Sequence, residues 1–263
     1  MDIAVSVLPA RTDEDRALIF DDGVVVLDGA TSHGPDVPPA SEYVDRLGAA
    51  VIARLNRHSD PASALAEAIS ATAHALHLRP GISPSSTVAV VQLAGDRVRV
   101  LVLGDTTVVT GRADGTHEVQ TDDRLNELAI PQADEYRRRL ASGTGYDEQH
   151  RELLGELQRA QRVCRNRDDG YWIAEADPAA ARHARIVDYP RDALTWVIIA
   201  TDGARDTIEA LGIPWPEVAE RSQADLDALL AQCHAWEADS DPDGRQLPRA
   251  KQHDDKTLAV VHL

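Results

Sequence analysis

Apolar residues along the first third of the chain switch between strand spacing and helix spacing. Runs at 3–9 (IAVSVLP) and 16–20 (RALIF) read as strands, and Asp21-Asp22-Gly23 is a turn signal. The run Val24 to Leu27 then ends on Asp28, so the opening predicts a hairpin. From about Ser41 to Asn56 the spacing changes, with Val44, Leu47, Val51 and Leu55 on one helical face. A second helix is expected to start with Asp60 as N-cap and Pro61 at its first position, carrying Leu65, Ile69 and Leu76 as its stripe. Strand patterns return at 86–93, 97–104, 106–111 and 116–120, separated by very short connections. Such connections predict antiparallel neighbours, because a parallel crossover needs a dozen or more residues.

The stretch from about 121 to 188 breaks this pattern. It is charged and helical in spacing, and it reads as a helical insertion between two halves of a strand-rich fold. Strand spacing resumes at 194–201, two helices are expected around 204–211 and 223–238, and a polar loop over 237–255 leads into a last strand at 257–263. No long Pro- or Gly-rich linker divides the sequence, so residues 1–263 are expected to form one domain.

Composition narrows the function classes. With 27 Lys+Arg against 44 Asp+Glu, the formal charge is −17. That charge repels nucleic acid and anionic membrane surfaces, so neither is expected as a partner. Two distant cysteines, Cys164 and Cys233, fit a reduced cytoplasmic chain, and both read as packing residues. No run is long enough for a membrane span, and Met1 is followed by Asp2 in place of a basic leader.

The candidate chemistry lies where apolar runs meet acids. Asp28-Gly29, Gly104-Asp105, Asp202-Gly203, Asp254-Asp255 and Glu14-Asp15 all stand at strand ends. A lone carboxylate is a costly end for a buried strand. Several gathered together repel one another unless protons or cations compensate them. Oxygen donors of this kind suit Mg²⁺ or Mn²⁺, and two such ions roughly 3.5–4 Å apart activate water for in-line attack on phosphorus. Glycine beside an acid leaves room for close approach to the backbone.

Five ordered elements carry a resemblance to the PP2C-type metal-dependent protein serine/threonine phosphatases. They are DED (13–15), VVVLDGATS (24–32), SSTVAVVQL followed by VRVLVLGDTT (85–107), VIIATDGARD (197–206) and DDKTLAVV (254–261). The resemblance implies an α+β fold: an α/β/β/α sandwich of two antiparallel sheets flanked by helices, with the 121–188 segment as flap. It also implies the roles. Asp28 bridges two Mn²⁺ or Mg²⁺ ions, and the Gly29 carbonyl serves one of them. Asp202 and Asp254 bind the other, and Glu14 and Asp15 act largely through water on the metals. Asp105 joins Asp202 in a third, weaker site, with Asp255 beside the ligands. Asp28, Asp202 and Asp254 thereby become the catalytic set. The implied partner is a phosphoprotein, and the chain is expected to act as a monomer.

The sequence departs from the family pattern in places. Ala10 stands where many members carry a phosphate-binding Arg, leaving Arg11, one place later, as the candidate for that role. Ala30 stands where a His often follows Asp-Gly, and His33 reads as a loop residue. These departures leave a regulatory or sensor module with weak or no turnover as the alternative function. A haloacid-dehalogenase-like enzyme is excluded because its nucleophile position holds Val26. Of the remaining polar residues, Asp206 is expected to begin a helix, Arg165 and Arg167 to be solvated, and the Arg137–Leu140 run to face solvent. Tyr171 and Trp172 are expected to anchor the flap.

Overall fold

The computed structural model describes residues 1–30, 37–55 and 60–263; His33 and the end of the first expected helix lie outside them. Two five-stranded sheets, antiparallel throughout, form the centre. One has the order β1 (Asp2–Leu8), β10 (Lys256–His262), β9 (Trp196–Ala200), β6 (Thr107–Gly111), β7 (His117–Gln120). The other runs β2 (Asp15–Phe20), β3 (Gly23–Ala30), β4 (Ser85–Ala94), β5 (Arg97–Leu103), β8 (Arg185–Pro190).

The unbroken apolar run of β3 follows from burial on both faces. Val25 and Leu27 pack with Tyr43, Val44 and Leu47 of α1 (Ala40–Ile52) and Leu65 and Ile69 of α2 (Pro61–Ala75). Val24 and Val26 face the other way, joining Ile199 of β9 and Ala259 and Val261 of β10 between the sheets. On the far side, Ile198, Leu258 and Val260 pack against α6 (Asp202–Ala210), α7 (Trp215–Ala219) and α8 (Gln223–Asp239). The layers are therefore helix, sheet, sheet, helix. Local signals act as expected: Asp60 caps α2 by accepting from the Ser63 N–H at 3.0 Å, and Ser222 and Asp225 close a capping box on α8. Among the described residues no helix is long and apolar enough to cross a membrane.

Two expectations need correction. The step from β5 to β6 through Gly104-Asp105-Thr106 is short but makes no hairpin: β5 pairs with β4 and β8, whereas β6 pairs with β7 and β9. The chain changes sheets there, and Gly104 permits it with φ +86°, where a Cβ would also strike Thr87 Cγ2 at 2.8 Å. The helical insertion is likewise shorter than 121–188. It comprises α3 (Arg124–Glu127), α4 (Pro131–Ala141) and α5 (Glu148–Cys164), and the chain then returns to the second sheet as edge strand β8. Most of β8 is exposed, Ile186 and Val187 included, so its sequence lacks the alternation of a half-buried strand.

Candidate metal centre

Period-2 alternation carries the inter-sheet rows beyond the apolar core. On β3 the row Val24, Val26 continues to Asp28, and on β4 the row Ala89, Val91 runs back to Thr87. The same parity leads from Val197 and Ile199 to Thr201, and from Val261 and Ala259 to Thr257. Register sets Asp15 opposite Asp28 and Asp28 opposite Thr87. One end of the layer is thus polar from both sheets. The sheets are stitched together there: Thr201 Oγ1 and Thr257 Oγ1 each donate to Asp15 Oδ2 at 2.9 Å, and the Thr87 and Thr106 hydroxyls lie 2.5 Å apart.

The remaining acids come from loops at this end. Asp202 opens α6 after the N-cap Thr201, and Asp254 follows the polar loop. Asp255 is buried, accepting from the backbone N–H groups of Ala10 and Glu14 at 2.5 Å each. It clamps the β1–β2 connection that delivers Glu14 and Asp15. Gly29 is required by the same connection: its N–H donates to Glu14 O at 3.1 Å, and a Cβ would lie 2.7 Å from that oxygen. Close packing of two chain segments explains this glycine without any need for open space beside the acid.

Burial foremost, then the charges of Asp15, Asp202, Asp254 and Asp105, raises the Asp28 pKa well above the usual carboxylate range. Burial likewise lifts Asp15 to about 7, although the two threonine hydrogen bonds oppose the rise. Asp105 also rises to about 7, through burial and the charge of Asp202. Asp254 rises to about 6 by burial and Asp202, with Lys251 opposing. Asp15, Asp28, Asp105, Asp202 and Asp254 therefore share one electrostatic environment. They are spaced apart: among the described residues no three of them bring ligating oxygens within 4.8 Å of one another.

Asp105, Asp202 and Asp254 line a cleft of about 250 Å³ together with Arg137, Arg205, Arg249 and Lys251. Lys251 Nζ donates to Asp254 Oδ1 at 2.8 Å. Arg205 pairs with Asp206 and reaches the Asp105 carbonyl at 3.4 Å. Sequence reasoning missed both cations, because each lies in a segment whose polarity reads as surface. Arg11 is exposed and lines a neighbouring cleft, with Lys251 in the wall common to both.

Other expectations divide. Trp172 and Tyr171 are buried as anchors, Trp172 within the core beneath α1 and α2. Cys233 is buried, and both cysteines are free. Asp206 lies inside α6, which starts four residues earlier, directly after its N-cap Thr201. Arg165 is largely buried, held by Glu175 at 3.6 Å and the Tyr171 hydroxyl at 3.2 Å, and so is not solvated. In the Arg137–Leu140 run Arg137 and Arg138 are exposed as expected, Arg137 at the rim of the acidic cleft, whereas Arg139 pairs with Asp147 and Leu140 is buried.

Known structures share this architecture. A bacterial serine phosphatase superposes with a TM-score of 0.59 at 12% identity, covering 100% of this chain and 97% of its own. The serine/threonine phosphatase Stp1 from Staphylococcus aureus gives 0.58 at 13%, covering 100% and 94%. The catalytic domain of the serine/threonine protein phosphatase PstP, in complex with two manganese ions, gives 0.53 at 17%, covering 98% and 96%. No curated protein sequence matches the chain. The family model for protein phosphatase 2C matches residues 11–238, most of the sequence, and the chain belongs to this family of serine/threonine phosphatases.

Proposed function

We propose that the chain removes phosphate from phosphoserine and phosphothreonine in proteins using two divalent ions, Mn²⁺ or Mg²⁺, held at the acidic end of the inter-sheet layer. One observation carries this reading: acids from the second sheet, from the start of α6 and from two loops are buried at this end, and burial together with their mutual charges raises their pKa values. Such a set fits hard cations, because every donor is oxygen and the local charge is negative. Asp28 would touch both ions, with the Gly29 carbonyl on one and Asp202 and Asp254 on the other. Asp15 and Glu14 would act through water, and Asp105 with Asp202 would form a third, weaker site. Bound ions of this type acidify water toward neutral pH for attack on phosphorus.

The chain's own groups do the rest. The threonine hydrogen bonds hold Asp15 in one orientation, and the Asp255 clamp fixes the segment that carries it. Lys251 and Arg205 border the cleft, where an arriving phosphate would meet positive charge, and Lys251 is better placed than Arg11 for that task. The regulatory-module alternative gains no support, since every acid of the strand-end set is present. The negative charge and the two free cysteines agree with a cytoplasmic monomer acting on phosphoproteins. Release of phosphate from a phosphothreonine peptide with Mn²⁺, abolished by chelation, is the expected result. No release with Mn²⁺ or Mg²⁺ from either phosphoserine or phosphothreonine peptides would overturn the reading.

A further inference from the structure

A second group of ligating side chains borders the acidic cleft, sharing Glu237 with its wall. His234 and Glu237 stand three residues apart on α8, and so share a helix face. His253 reaches them from the polar loop, immediately before Asp254. One ligating atom from each of these three lies within 4.8 Å of the others, the only such group among the described residues. His253 Nδ1 is 2.9 Å from Glu237 Oε2, and the two imidazole rings stack with centroids 4.1 Å apart. Glu237 is 1% exposed and is held by the Thr207 hydroxyl at 2.8 Å and by Lys256 Nζ at 2.9 Å. Its carboxylate is therefore fixed in place, as supporting hydrogen bonds fix metal ligands. Both histidines line the cleft beside Ala10 and Arg11, which gives an ion a route in.

We propose that His234, Glu237 and His253 form a Zn²⁺ site distinct from the acidic centre. Two imidazole nitrogens and one carboxylate oxygen match borderline ions such as Zn²⁺, whereas an all-oxygen set matches Mg²⁺ or Mn²⁺. The ion takes the place of the proton between His253 Nδ1 and Glu237 Oε2. A neutral His253 then carries its proton on Nε2, and a protonated one releases a proton to solvent. Lys256 already neutralises Glu237, so the imidazoles supply most of the affinity, and water completes the coordination. Zn²⁺ at this position ties α8 to the loop that delivers Asp254 and Asp255.

The test is titration of Zn²⁺ alone into the full chain, run in parallel on His234→Ala, His253→Gln and Asp28→Asn. Wild type and Asp28→Asn should bind one Zn²⁺ at this site with equal affinity. Each histidine variant should lose at least about 10-fold, since even outer-shell changes act on that scale. Co²⁺ used as a substitute should show a d–d absorption spectrum in wild type and Asp28→Asn that fades in both histidine variants. Melting without metal checks that His234→Ala folds; if it does not, His253→Gln decides. A Zn²⁺ stoichiometry and affinity left unchanged by both histidine substitutions, loss of the histidine-dependent binding in Asp28→Asn, or binding that never saturates would overturn the site.

Discussion

The layer between the sheets has two regions built on the same strands. In its middle, Val24, Val26, Ala89, Val197, Ile199 and Val261 pack against one another without a polar atom in their side chains. At its end the same rows carry Asp28, Thr87, Thr201 and Thr257, with Asp15 set beside Asp28 by the strand register. The middle removes apolar surface from water and so stabilises the fold. The end buries carboxylates that repel one another, which works against the fold. One region should govern stability and the other activity, and the two should separate on mutation.

The largest separation is expected at Asp28 and Asp202. Asp28→Asn and Asp202→Asn should each lower metal-dependent turnover by about 100-fold or more, because loss of a direct ligand exceeds the effect of outer-shell changes. Metal-free Asp28→Asn should melt at the wild-type temperature or above it, since one repelling charge is gone. A clear drop in its metal-free melting temperature, with activity retained, would make Asp28 a structural turn residue.

Ile199→Ala tests the other region. Removing a fully buried Ile costs about 2–5 kcal/mol, and at roughly 2–4 °C per kcal/mol for a chain of this size melting should fall by about 4–20 °C. Turnover per folded molecule at low temperature should change little. Loss of activity beyond the folded fraction would show that the two regions do not separate.

Stability against pH gives a smaller effect with a definite sign. The raised values of Asp15, Asp28, Asp105 and Asp254 mean that the folded, metal-free chain binds more protons than the unfolded one above the ordinary value of 3.8. Their contribution is fully present below that value and is lost as pH rises through about 6 to 7. Metal-free melting temperature should therefore decline across this window, and less steeply in Asp28→Asn. Scanning calorimetry at several pH values reads both slopes; equal slopes would contradict the shared environment. Asp105→Ala should be the mildest change, slowing turnover by about 10-fold while leaving Mn²⁺ affinity at the main pair near wild type.

Legibility in the sequence follows the same division. Strands buried on both faces, such as β3 and β4, declare themselves as unbroken apolar runs, and the acids at their ends stand out against them. The change of sheet at Gly104–Thr106 does not, because a short connection looks local whichever sheet its second strand joins. Strand β8 was hidden by its exposure. Lys251 and Arg205 read as surface charges, and only the fold turns them toward the acids. Lys256 opens an apolar run, yet its burial depends on Glu237, which lies 19 residues earlier in sequence.

Calorimetric titration of Mn²⁺ into the metal-free chain, with Asp28→Asn in parallel, tests the acidic end as a metal centre most directly. Protons held on the raised carboxylates must leave when ions bind. Wild type should bind two ions, release protons near neutral pH, and gain affinity as pH rises through about 7. Stabilisation at a hundredfold excess over Kd should reach about 2.7 kcal/mol for each ion bound. Asp28→Asn should lose most of both signals. Equal stoichiometry, affinity and proton release in the two proteins would contradict the account.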